Sequence, residues 1–388
     1  MSGVALSATT SHWRPQHVAA ICQTLRNTIP QVDPAALHPP LSGMDLWDLW
    51  PVQLADGTAA RFDGWTVWCV LSAPALPDPE LRHGIARIRL MTERDGQWHD
   101  CGNLLPDGLN PGSREWAGSA LYDPATCALT LFYTAAGYHA EAVTSIAQRL
   151  FQTTATLTIT DGKACARGWS TPAESCIADD AHYMQVGQSE GIPGFIKGFR
   201  DPAHFRDPAD GATYLLFTGS LKQSSSQWNG CIGIARADDA SLARWTLLPP
   251  LVCADGLNNE LERPIALFHR GRYYLFWSTQ RKVFAPGGPS GPNGLYGMVA
   301  PALSGPWQPL NGTGLVAANP QQTPYQAYSW WVNDDLTVAG FADLPGVADG
   351  AQIDTPQWRR DHFGGTQAPL FRITLDGDQA WVDETFAG

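Results

Sequence analysis

Charge is the first thing this chain is short of. Only 16% of its 388 residues are Asp, Glu, Lys or Arg, against 44% hydrophobic, so much of the chain must be buried or packed in loops. Basic residues are scarcer than acidic ones, 25 against 37, for a net charge of −12. An acidic surface repels phosphate backbones, which argues against nucleic acid as a partner. Long apolar runs are missing too. No stretch approaches the roughly 18 residues of a membrane-spanning helix, so no membrane partner is expected. The eight cysteines (22, 69, 101, 127, 165, 176, 231 and 253) show neither Cys-x-x-Cys nor a His spacing suited to zinc. Cys69, Cys127 and Cys231 lie in apolar, strand-like runs and read as small buried hydrophobes. Cys165 and Cys176 flank a Gly/Pro-containing loop and are the candidate disulfide. The opening residues Met1 to Ala8 lack a basic start and a long apolar core, so no signal peptide is read there. Export by another route is the expectation, with a cytoplasmic location as the alternative. Nothing calls for a cofactor or a protein partner.

Helical periodicity is sparse as well. His17 to Asn27 is the best helix candidate. Ala140 to Leu150 is a second, and it could equally continue a strand. Short strands dominate. Asp-Gly pairs at 56–57, 95–96, 161–162 and 376–377 mark tight turns beside apolar or alternating runs. Ile85 to Thr92, Thr153 to Thr160 and Phe371 to Leu375 read as hairpin strands. A similar phrase occurs three times: Leu131-Phe132-Tyr133-Thr134, Leu215-Leu216-Phe217-Thr218 and Leu275-Phe276-Trp277-Ser278. Repeats of that kind suggest the blades of an irregular β-propeller, each with a similar inner strand.

Carboxylates stand out against this background. Asp48 sits between indoles in Leu46-Trp47-Asp48-Leu49-Trp50-Pro51. Sugar rings stack on indole faces, and a desolvated carboxylate beside them can attack an anomeric carbon. The plain alternative is a capping Asp between two core tryptophans. Phe199-Arg200-Asp201-Pro202 and Asn259-Glu260-Leu261-Glu262-Arg263-Pro264 each place a carboxylate beside an arginine and before a proline. An adjacent Arg keeps Asp201 ionised. Glu260 and Glu262, two apart on an extended strand, face the same way, and like charges push one pKa up. One carboxylate free to attack, one held charged and one held neutral are the equipment of retaining glycoside chemistry. Phe-Arg-Asp-Pro recurs at 205–208, where Asp207 precedes Ala209-Asp210-Gly211 and reads as turn punctuation at the surface.

In order and spacing these motifs resemble the levansucrase family, glycoside hydrolase family 68. Glu115-Trp116-Ala117-Gly118-Ser119-Ala120 and Ala327-Tyr328-Ser329-Trp330 also match family segments. The resemblance spans nearly the whole chain from Trp13. It implies an all-β fold, a five-bladed β-propeller with a central axial pocket. Residues 1–388 then form a single catalytic domain, with 1–40 as an N-terminal extension packing on the propeller. It implies Asp48 as the nucleophile that takes the fructosyl unit of sucrose, Glu262 as acid/base, and Asp201 as transition-state stabiliser. Trp47 and Trp116 would wall the fructosyl subsite, Arg200 would bridge the two sugar subsites, and Glu260 would hold the glucosyl unit. Tyr328 would lie near the acid/base, and Gln280 would stand where the family carries Arg or His on the acceptor side. Sucrose and fructo-oligosaccharides are the implied partners. The expected products are free fructose and short fructo-oligosaccharides, the alternative being a long β-2,6 levan. An inverting five-bladed glycosidase and a non-catalytic sugar-binding propeller are the other two readings. A retaining carboxylate pair lies roughly 5–5.5 Å apart and an inverting pair roughly 6.5–9.5 Å.

Two departures stand out. Ala117 replaces a family Ser that positions the nucleophile, and Ser119 is out of register to replace it. Asn259 stands where calcium-binding members carry Asp, so no metal is expected. Arg281 to Pro292, with six Gly or Pro residues, reads as a rim loop poor in hydrogen-bond donors.

Overall fold

The computed structural model describes residues 9–179, 181–186 and 196–386. Turn chemistry builds its hairpins. At Asp95-Gly96 and Asp161-Gly162 both residues take positive φ (54° and 78°; 50° and 73°). These are two-residue loops joining Arg94 to Gln97 and Thr160 to Lys163. Positive φ at both central residues matches the twist of the flanking strands, and Asp-Gly adopts it readily.

The hairpins stack into five blades around one axis, the first two joined into one ten-stranded sheet by pairing of Val52 with Ala120 and Gln53 with Leu121. The first blade runs Met44–Gln53, Trp65–Pro74, Arg87–Arg94, Gln97–Asn103. The second runs Arg114–Asp123, Ala128–Ala136, Gln148–Thr160, Lys163–Arg167. The third runs Phe199–Arg206, Thr213–Ser220, Gly230–Ala237, Trp245–Cys253. The fourth runs Glu262–His269, Arg272–Thr279, Gly294–Ala300, with Gln308–Pro309 and Leu315–Ala318 outermost. The fifth runs Ala327–Val332, Thr337–Ala342, Phe371–Asp376, Gln379–Val382. The first strand of each blade touches the first strand of the next, and the fifth returns to the first. The all-β, five-bladed expectation is therefore met.

The repeated phrase is not on the inner strands, where the sequence reading put it. It ends the second strand of blades two, three and four, and its terminal hydroxyl ties one blade to the next. Thr134 Oγ1 accepts the Asp201 N–H at 2.9 Å, Thr218 Oγ1 the Arg263 N–H at 3.0 Å, and Ser278 Oγ the Trp330 N–H at 2.9 Å. These N–H groups lie where the inner strands bulge and have lost their ladder partners, so a hydroxyl from the neighbouring blade satisfies them.

Several local expectations change. The His17 to Asn27 helix is two shorter pieces, an α-helix over Pro15–Ala19 and a 3-10 turn over Leu25–Asn27. The reason is docking: Trp13 packs edge-on against Trp277 and Phe284, and the Ile29 N–H bonds to Ala318 O. Ala140 to Leu150 is loop, with a strand from Gln148. All eight cysteines are free, Cys165 and Cys176 included. Cys69 and Cys231 are buried as expected, whereas Cys127 is exposed in a turn at φ 57°.

Ion pairs join blade five back to blade one. Arg360 forks onto both oxygens of Asp45 at 2.9 Å, and Arg359 Nε reaches Asp78 at 2.9 Å. Asp45 is only 3% exposed. Arg360→Ala leaves that carboxylate buried and unpaired, at a cost of about 3 kcal/mol. Thermal unfolding should shift down by several degrees, and an unchanged melting temperature would remove this pair from the closure.

Candidate active site

Each inner strand slips register at the same height. The slips fall between Trp47 and Leu49, Trp116 and Gly118, Arg200 and Ala203, Glu262 and Ile265, and Tyr328 and Trp331. Four of the bulge residues take positive φ: Asp48 (30°), Asp201 (59°), Arg263 (50°) and Ser329 (61°). Non-glycine residues seldom hold that conformation outside turns, and these four hold it inside strands. The bulges turn their side chains out of the ladder and toward the axis, which is why motifs far apart in sequence meet.

They meet in one cavity of about 570 Å³, whose wall includes all nine residues singled out in the sequence: Asp48, Asp201, Glu262, Trp47, Trp116, Arg200, Glu260, Gln280 and Tyr328. Arg200 is its hub. Nη2 donates to Glu260 Oε2 at 3.0 Å and to Glu262 Oε1 at 2.8 Å, and Nε lies 3.5 Å from Asp201 Oδ2. The Tyr328 hydroxyl donates to Glu262 Oε2. Thr218 Oγ1 donates to Asp201 Oδ2 at 3.0 Å. Trp116 Nε1 donates to His83 O at 3.0 Å, which sets the ring plane. Trp47 is 1% exposed and mostly core, so Trp116, half-buried, offers the larger open face.

The electrostatics differ from the sequence reading at two points. Burial pushes Asp201 up to about 6, although Arg200 opposes it. Arg200 shares its charge among three carboxylates, and burial outweighs the remainder. Burial and the charge of Glu262 push Glu260 up to about 7. Glu262 is itself held below the usual range: burial raises it, but Arg200, Tyr328 and a hydrogen bond from Glu260 together lower it further. These opposite shifts favour Glu260 over Glu262, where the sequence placed the proton, as the protonated partner of the pair. Asp48 is raised by burial and lowered by Arg263 and a hydrogen bond from Ser329.

Ser329 and Arg263 were not singled out. Arg263 donates to Ser329 O and Oγ at 2.8 Å each and to Leu49 O at 2.8 Å, bracing the strand beside Asp48. Ser329 thus supplies a hydroxyl where Ala117 cannot. Ser119 is fully buried and faces His204, accepting its N–H at 3.0 Å. Asp207 does sit in a turn away from the cavity, capping Ala209 N at 2.9 Å. It is not a surface residue, however: it is 5% exposed and accepts the Tyr273 hydroxyl at 2.6 Å. The rim also differs. The loop after Gln280 reaches the cavity at Lys282 and Val283 and then turns away, Phe284 packing against Trp13. Glu80, Arg82, His83 and Arg114 also line the cavity. Arg82 stacks over Trp47 and Phe363, with its guanidinium carbon 5.4 and 4.4 Å from the ring centres.

Comparison with known proteins gives the family and the fold. The Levansucrase/Invertase family profile matches residues 4–227 and 220–387. A levansucrase of Rahnella aquatilis is 32% identical over 381 residues, covering 88% of this chain and 86% of the relative. Among solved structures, an inulosucrase from Halalkalicoccus jeotgali bound to kestose superposes with TM-score 0.88 at 36% identity, covering 96% of this chain and 95% of that one. A levansucrase from Gluconacetobacter diazotrophicus shares the fold, with TM-score 0.83 at 24% identity and 100% and 92% coverage. A family profile over almost the whole chain, with relatives of this identity and coverage, leaves one conclusion: the chain belongs to the levansucrase/invertase family, glycoside hydrolase family 68.

Proposed function

We propose that this protein cleaves sucrose with retention, through a covalent fructosyl-enzyme, and passes the fructosyl unit to water or to sucrose and its oligosaccharides. The observation that carries this is the convergence of Asp48, Asp201 and Glu262 from three equivalent bulges onto one cavity. Asp48 attacks the fructosyl anomeric carbon and forms the ester bond as the glycosidic bond breaks. The pair Glu260/Glu262 delivers its proton through Glu262 to the glucosyl oxygen, which leaves as glucose. Asp201 binds ring hydroxyls and steadies the oxocarbenium-like transition state. Glu262, now the base, takes a proton from the acceptor as it displaces Asp48. Trp47 and Trp116 wall the fructosyl subsite, Arg200 and Glu260 reach the glucosyl side, and Gln280 beside Tyr328 faces the acceptor.

Gln280 has no charge with which to grip an incoming sugar, and this favours water and short acceptors. Glucose release should exceed polymer-bound fructose, with free fructose and short fructo-oligosaccharides as the main products. Raising sucrose should shift flux toward transfer, because both acceptors compete for one intermediate. Chromatography of products across sucrose concentrations tests this. Long levan at every concentration overturns the product assignment, and no glucose release overturns the whole reading.

A further inference from the structure

A lysine carries a positive charge into the interior beside the cavity, and the proposed reaction leaves it unused. Lys197 is 5% exposed. Among the described residues its Nζ donates to three oxygens: Gln227 O at 2.5 Å, Asn229 Oδ1 at 3.0 Å and Asn259 Oδ1 at 3.1 Å. All three are acceptors without a proton to give. Three donated hydrogen bonds require an ammonium, because a neutral amine has only two hydrogens. The cage joins three segments: the entry to blade three, the loop before its third strand, and the loop before blade four. Neutral carbonyl and amide oxygens around a positive centre are also what a hard divalent cation accepts.

We propose that Lys197 is the resident cation of this oxygen cage, in the place a divalent ion could otherwise fill, and that it positions Glu260 through the Asn259 amide. Because Nζ takes Oδ1 of Asn259, that amide turns Nδ2 toward Glu260 Oε1 at 3.1 Å and Ile196 O at 2.6 Å. Glu260 is thereby presented to Arg200 on its other oxygen. The Lys197 carbonyl receives Gln148 Nε2 at 2.9 Å and Arg200 Nη1 at 3.5 Å, so the same residue steadies the guanidinium. Without the ammonium the Asn259 oxygen loses its charged donor, and only the Nδ2 bonds to Ile196 and Glu260 hold the amide against rotation. Rotation of the amide then sets acceptor against acceptor and pushes Glu260 off its place.

The positioning role rests on the assignment of Glu260 to the substrate site; the cage itself does not. Lys197→Met keeps the side-chain length and removes the charge. Its melting temperature should fall by several degrees. Its KM for sucrose should rise about tenfold, as expected for one lost charge-assisted hydrogen bond, with kcat changed less because the reacting carboxylates are untouched. A second variant, Lys197→Ala with Asn259→Asp, empties the cage and adds a carboxylate. Without sucrose, its melting temperature should rise saturably with Ca²⁺ and fall with a chelator, while the wild type responds to neither. The proposal is overturned if Lys197→Met melts and binds sucrose like the wild type. It is equally overturned if the double variant is no more calcium-sensitive than the wild type, or if the wild type itself responds to Ca²⁺. Should Lys197→Met fail to fold, the melting of the double variant decides. Melting needs no substrate, so failure of the cage and failure of the sucrose assignment are read separately.

Discussion

Asp48→Asn should abolish sucrose cleavage while the propeller stays folded. The amide cannot form the fructosyl ester, so the loss should lie at or beyond the upper end of the roughly 10²–10⁴-fold range of a single acid–base group. Folding should survive because burial already penalises the Asp48 charge, and a neutral side chain removes that penalty. Asn is a better control than Ala for a backbone reason. Asp48 sits at φ 30°, and Asn tolerates the left-handed region as Asp does, whereas Ala there costs about 1–2 kcal/mol. Denaturing mass spectrometry of quenched wild type with sucrose should show one added hexosyl unit, absent from the variant. Near wild-type turnover in Asp48→Asn would remove it as the nucleophile.

Glu262→Gln should be the next most damaging change, lowering kcat on sucrose by about 10²–10⁴-fold. A fructoside with a nitrophenol leaving group should suffer far less, because that group departs without a proton. Equal losses on both substrates would mean that Glu262 is not the acid. The same chemistry predicts a narrow pH profile. Asp201 must be ionised, so kcat/KM should rise through about pH 6. The Glu260/Glu262 pair must keep its proton, which sits on Glu260 with a pKa of about 7, so kcat/KM should fall through about pH 7. Glu260→Gln removes the raised partner and leaves Glu262 to Arg200 and Tyr328, both of which lower it. The falling limb should then move to lower pH. A falling limb that stays put in Glu260→Gln would show that the pair does not share the proton.

What the sequence determined by itself follows from local rules. Asp-Gly turns set hairpins because two residues alone hold the positive φ values. Short apolar runs between them left no room for a helical core, and the low charge content demanded a large buried interior. The carboxylate motifs were legible because Asp48 stands between tryptophans, while Asp201 and Glu262 each stand beside an arginine and near a proline. Even so, five blades could not be counted from the repeats. The hydroxyl-ended phrase occurs in three blades, while the second strands of the first and fifth, Trp65–Pro74 and Thr337–Ala342, do not carry it.

Only the tertiary structure decided how charge is distributed inside the cavity, because each group's state depends on partners far along the chain. Arg200 answers to Glu260 and Glu262, 60 and 62 residues away, so the sequence neighbour Asp201 receives a lesser share of its charge. Burial and the charge of Glu262 favour the proton on Glu260, while Arg200 first and then Tyr328, 66 residues away, hold Glu262 low. Ser329 reaches Asp48 across the closed ring, and Asp207 is buried because Tyr273 finds it. Lys197 gains its three oxygen partners only where three segments far apart in the chain come together. Pairings of that kind carry no periodicity and no turn signal; closing the ring of blades creates them.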